Sequence, residues 1–191
     1  MRQWAVWTLV GSLGLASEAA AQPGAPAALL QEPAVRAAVE QARASEPRTI
    51  EDQIRFCEVA APPFKEAARG ELLRRAFEEA GLQNVRVDRA GNVLADRPGQ
   101  SPRPRLVLAA HLDTVFPEGT PVKVTRRGTT LQGPGIGDNC RGLAVLVAVA
   151  RVLGQSAVRT PGSITFVANV GEEGLGDLRG VKALFAETLK N

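Results

Sequence analysis

The run AAHLDTVFPEG at residues 109–119 contains His111, the single histidine of a 191-residue chain. It closes an apolar stretch and stands two residues before Asp113. Side chains two apart on a strand point the same way, so Asp113 can reach the imidazole. A carboxylate behind a metal-bound histidine fixes its tautomer and makes it a better donor. Alone the pair says little, because a lone histidine before an aspartate is more often structural than ligating. Two further loops carry acids. GPGIGDNCRG (133–142) joins a glycine-rich turn to Asp138, which serves either as a plain helix N-cap or as a ligand. ANVGEEGLGDLRG (168–180) sets Glu172 and Glu173 between Gly171 and Gly174, where a solvated turn would look the same. Asp177, four residues beyond Glu173, reads as the cap of a last helix. Taken together, one imidazole and three acid-bearing loops suit divalent cations bound through nitrogen and oxygen. Two ions sharing a carboxylate would activate a water between them, and one of two adjacent glutamates could take its proton.

The glycine-rich loop excludes one rival. Gly133 and Gly135 open a G-x-G-x-x-G pattern, but Asp138 occupies the third glycine position and would repel a phosphate. No Walker lysine follows it.

These loops need a frame. Apolar residues recur at helical spacing from Glu32 to about Ala44 and from Thr49 to Val59, with Thr49 and Asp52 forming a capping-box pattern at the second start. A third helix, roughly Lys65–Ala80, puts Leu73 and Phe77 on one face and stops at Gly81. Val85–Val87 and Val93–Ala95 read as strands joined by a turn at 90–92, followed by a loop at 97–105. RLVLAAH (105–111) and GSITFVANV (162–170) are near-continuous apolar runs, as expected of strands covered on both faces. Between them lie a short hairpin within 121–133 and a buried helix over 139–154; a last helix runs from Leu178 to about Leu189. Alternating strands and helices predict a layered α/β domain, whose functional groups gather at the carboxyl ends of the strands.

Composition narrows the partners. With 45% hydrophobic residues the chain can bury a core, so disorder is not expected. A net charge of +3, scattered arginines and 4% aromatic residues speak against nucleic acid. Residues 1–21 read as an export signal: Arg2 leads, Trp4–Ala16 is apolar but too short to span a bilayer, and Ala19–Ala21 offers a cleavage site. A periplasmic or secreted product follows, without a lipid or membrane anchor, since no cysteine closely follows the apolar stretch. Residues 22–31 form a Pro/Ala linker, and 32–191 hold the domain. Two cysteines make no disulfide framework, so Cys57 and Cys140 are expected as free thiols.

The motifs AHLDTVFP, GPGIGDNCRGLAVL and NVGEEGLGDLRG, in this order and spacing, resemble the co-catalytic zinc exopeptidase/deacylase family, which includes glutamate carboxypeptidase, peptidase T, aminoacylase and succinyl-diaminopimelate desuccinylase. The resemblance covers roughly residues 45–190. It implies a three-layer α/β catalytic domain with a mostly parallel central sheet. It also implies His111 as ligand of one zinc with Asp113 orienting it, Asp138 bridging two zincs, Glu172 as general base and Glu173 on the second zinc. The reaction implied is hydrolysis of a peptide or N-acyl amide bond by a metal-activated water, whose proton Glu172 passes to the leaving amine. A cis peptide between Asp138 and Asn139 is implied too. Family members carry a further acidic ligand, a second histidine and a lid or dimerisation domain beyond the point where this chain stops. The expectation is therefore the N-terminal part of such a catalytic domain, itself inactive or a metal-binding remnant, from a parent for which a homodimer is an option.

Overall fold

A computed structural model describes residues 25–189. The expected export signal lies outside them. Within the stretch read as a linker, Ala25–Leu29 forms a short helix, α1. No helix among the described residues is long and apolar enough to cross a membrane.

Four strands make one sheet: β1 (Gln83–Val87), β2 (Val93–Arg97), β3 (Arg105–His111) and β6 (Ser163–Asn169), in the order β1-β2-β6-β3. β3 and β6 are parallel, whereas β1–β2 and β2–β6 are antiparallel. The expected parallel majority thus gives way to a mixed sheet. The cause is local: Gly91 at φ +100° lets the chain fold β2 straight back on β1 as a hairpin, and a hairpin is antiparallel. β4 (Thr125–Arg127) and β5 (Thr130–Gln132) form the expected separate hairpin.

On one face of the sheet sit α3 (Glu46–Cys57), α4 (Ala67–Glu79) and α5 (Cys140–Gln155), and α2 (Pro33–Ala44) packs on α5. Phe56, Leu73, Phe77, Leu143 and Val147 from these helices meet Val93, Ala95, Ala110, Ile164, Phe166 and Ala168 from the strands. The alternate strand residues Leu94, Val107 and Val167 point to the other face, where Leu184 and Leu189 cover them. Here α6 (Arg179–Ala183) runs into a π-helical turn over Leu184–Thr188. Three layers result.

Three local expectations are corrected. β6 is buried as expected, but β3 is the edge of the sheet and leaves Leu106 53% exposed, so an apolar run did not mean cover on both faces. α3 begins at Glu46, not Thr49, because Pro47 fits the first turn of a helix; Thr49 then lies inside, its hydroxyl donating to the Ser45 carbonyl at 3.2 Å. Asp52, the other half of the supposed capping box, pairs with Arg151 and Arg55. The last helix is not capped by Asp177. Asp177 and Leu178 both take left-handed backbone (φ +50° and +56°) to turn the chain from a 3₁₀ turn at Gly174–Gly176 into α6.

Candidate metal centre

Because β3 and β6 run parallel with His111 beside Asn169, the loops leaving their carboxyl ends start side by side. His111 is 8% exposed. Its Nδ1 lies 3.1 Å from the backbone oxygen of Asp113, and its Nε2 lies 2.8 Å from Asp138 Oδ1. Glu172 Oε2 stands 3.8 Å from the same Nε2. One ligating atom from each of His111, Glu172 and Glu173 falls within 4.8 Å of the others. The residues singled out from sequence, His111, Asp113, Asp138, Glu172 and Glu173, therefore meet at one end of the sheet.

Asp113 does so in an unexpected way. Its carboxylate is fully buried, yet its Oδ1 is 3.7 Å from Nδ1, beyond a hydrogen bond. What reaches the imidazole is its main-chain oxygen. The carboxylate instead accepts the backbone N–H groups of Glu172 at 3.0 Å and Glu173 at 2.9 Å. Thus one residue orients the ring through its backbone and holds the glutamate loop through its side chain.

Asp138 is brought in by the glycine-rich loop. Gly135, at φ +72°, packs against Thr114 so closely that an added Cβ would lie 2.7 Å from its Cγ2. α3 fixes the same loop from behind, Gln53 donating to the Ile136 carbonyl at 2.7 Å and the Cys57 thiol to the Pro134 carbonyl at 3.2 Å. Cys57 and Cys140 are free and buried there. Asn139, not Asp138, stands at the N-cap of α5, and the Asp138–Asn139 peptide is cis. The Asp138 side chain is 77% exposed apart from its bond to His111, so the plain N-cap reading fails. Asp177 pairs with Lys182 at 2.7 Å.

The charges act on one another. Burial opposes a charge on His111, but the carboxylates of Asp113, Asp138 and Glu172 outweigh it and hold the imidazole up to about 9. Burial also opposes ionisation of Asp113; His111 and the two N–H donors win and bring it down to about 2. Glu173 is pushed up, first by burial and then by the Asp138 charge. An acid-rich cluster with one imidazole has surplus negative charge for a cation to neutralise. Its oxygen and nitrogen donors fit a borderline divalent metal.

Sequence reasoning passed over the residues behind these loops. Arg69 is 1% exposed and donates to the carbonyl of Leu112, between His111 and Asp113, at 2.7 Å. Glu66, 3% exposed, takes Arg179 on both oxygens at 2.8 Å. Asn92, fully buried, accepts the N–H of Val170 at 3.0 Å and donates to the Gly180 carbonyl at 2.9 Å. One signal was readable: Arg69 shares a helix face with Leu73 and Phe77 at four-residue spacing, a charge inside an apolar stripe.

The model of Peptidase family M28 matches residues 92–191, just over half of the chain and all three loops. The chain belongs to this family. Carboxypeptidase G2 from Pseudomonas sp. (strain RS-16) is 34% identical over 117 residues, which are 56% of this chain and 27% of that protein. Among solved structures, the aminopeptidase PepT of Bacillus cereus superposes with a TM-score of 0.63 at 26% identity, covering 75% of this chain and 40% of PepT. The aminoacylhistidine dipeptidase of Vibrio alginolyticus gives 0.57 at 27% identity, over 76% of this chain and 31% of that one. This agrees with the resemblance drawn from the motifs and with the layered α/β domain. The chain spans well under half the length of each of these relatives.

Proposed function

We propose that this chain is the metal-donor part of a hydrolase that cleaves a peptide or N-acyl amide bond at the end of a small substrate, using zinc. The observation that carries the reading is the meeting of His111, Glu172 and Glu173 within 4.8 Å, with Asp138 on the outward nitrogen of His111. The relatives' names, a carboxypeptidase, an aminopeptidase and a dipeptidase, support removal of terminal residues as the common chemistry. His111 and Glu173 would hold zinc, and Asp138, largely open to solvent and on the outward nitrogen of His111, would be the residue common to two ions. When bound, zinc supplies Lewis acidity, polarising a carbonyl and making a water acidic near neutral pH.

The rest falls to the chain. For its outward nitrogen to act as a donor, His111 must first give up its proton to solvent, past the Asp138 carboxylate 2.8 Å away. Glu172, its side chain 42% exposed, is free to take a proton from water at its carboxylate and return it to the departing amine. Asp113 keeps the backbone of both glutamates in place while this happens. A parent that is exported and forms homodimers belongs to the same proposal, supported by the N-terminal sequence and the motif resemblance respectively.

A second reading, a metal-binding chain without turnover, is favoured by the donor count among the described residues: with Glu172 kept as the base, His111, Asp138 and Glu173 are three donors, the shell of one ion, not two. One comparison tests both. In a complete parent chain, Glu172→Gln should keep the metal content and lower kcat by about 10²–10⁴, the usual weight of a general base. Near-normal turnover would move the base elsewhere. Metal binding without turnover by the 191-residue chain, measured beside that parent, would leave the second reading standing.

A further inference from the structure

The two donor loops are each gripped by the same short piece of helix. Glu66 stands at the N-cap position of α4 with its side chain turned to other partners, and Arg69 lies three residues on, so both side chains leave one face of its first turn. Arg69 donates from Nη1 to the Leu112 carbonyl at 2.7 Å, inside the His-x-Asp loop, and from Nε and Nη2 to the Val59 carbonyl at 3.0 and 2.7 Å. Glu66 reaches the other loop through Arg179, whose Nη2 lies 2.8 Å from both of its oxygens. Arg179 in turn underlies Gly171: a Cβ there would sit 2.6 Å from Nη1, and the Arg179 N–H donates to the Gly171 carbonyl at 3.1 Å. Gly171 is the residue before Glu172.

We propose that the first turn of α4 is the spacer that sets the separation of the two donor loops, with Glu66 and Arg69 as positioning residues for the metal centre. Burying two charges is costly, and an apolar pair would fill the same volume with no desolvation penalty. Charged side chains add directional, strong hydrogen bonds to fixed backbone and guanidinium positions. A metal site needs its donors held within about 0.5 Å, which loops alone do not provide. α4 does: Leu73, Ala76 and Phe77 lock it into the core, and its two charged ends of contact convert that rigidity into loop spacing. Arg69 acts on the segment that carries His111, and Glu66 acts on the segment that carries Glu172 and Glu173. The link between the segments, Asp113 to the two glutamate N–H groups, forms only when the spacing is right.

The proposal rests on reading these loops as the metal donors, but its test uses metal-free protein. Amide hydrogen exchange of Glu172 and Glu173 would be followed by NMR in the 191-residue chain, normalised to the Val167 amide in the sheet core. Glu66→Gln and Arg69→Lys should each speed exchange at Glu172 and Glu173 by at least about tenfold relative to Val167, although neither residue touches those amides. Phe77→Leu, a core change on the same helix, should leave that ratio alone. Arg179→Lys, at the partly exposed end of the Glu66 pair, should repeat the Glu66→Gln result and stands in if a buried variant does not fold. Ratios unchanged in the folded variants, or changed equally by Phe77→Leu, would overturn the spacer. Such a failure leaves the Glu172→Gln experiment untouched, and failure of that experiment leaves these ratios as they are.

Discussion

Replacing Asp113 by asparagine separates charge from shape at the most buried acid of the site. The carboxylate is fully buried and is held down to about 2 from 3.8, a difference worth about 2 kcal/mol at neutral pH. Asparagine keeps the volume but offers one acceptor oxygen where two N–H donors converge, at 3.0 and 2.9 Å. One donor is left facing an amide NH₂, which costs about 1–3 kcal/mol more. Since the two contributions overlap, Asp113→Asn should destabilise the chain by about 3 kcal/mol in urea unfolding near pH 6. The pH profile supplies the sharper test. A depressed folded pKa gives stability that is present above the unfolded value of 3.8 and lost as pH falls toward about 2. His111, raised from 6.5 to about 9, contributes stability that is complete below 6.5 and lost as pH rises through about 9. The wild-type advantage should therefore be flat between about pH 4 and 6.5 and shrink on both sides. A difference under about 0.5 kcal/mol, or one unchanged between pH 6 and pH 9.5, would refute the assignment of this carboxylate.

Two other outcomes are expected. Zinc must displace a proton from His111, so zinc affinity of the 191-residue chain should rise about tenfold per pH unit toward pH 9, with close to one equivalent bound and none in His111→Ala; a chelator-competition titration reads both. Gly180→Ala should destabilise by about 1–3 kcal/mol in thermal unfolding, because its Cβ would press into the Val170 carbonyl and the Asn92 side chain, and neither can retreat.

The sequence by itself determined the elements and the identities of the candidate donors, because both are local properties. Apolar runs at 105–111 and 162–170 became strands, Gly81 ended α4, and the three acid-bearing loops fell where strands end or a helix begins. Periodicity and turn chemistry act over a few residues, so they can be read along a line. Local reading failed where tertiary position decides: an apolar run does not say whether its strand is central or an edge, as β3 shows, nor does a Thr-x-x-Asp pattern say whether a helix has already begun, as α3 shows. The wiring of the site was wholly of that second kind. Asp113 meets the backbone of residues 59 and 60 positions away, and Arg69 meets a carbonyl 43 away. Every residue but proline carries the same N–H and every residue the same carbonyl, so nothing in a side-chain sequence marks which of them a buried charge will hold. Only the folded arrangement of β3, β6 and α4 selects those partners, and the buried charges can be tolerated only once it has done so.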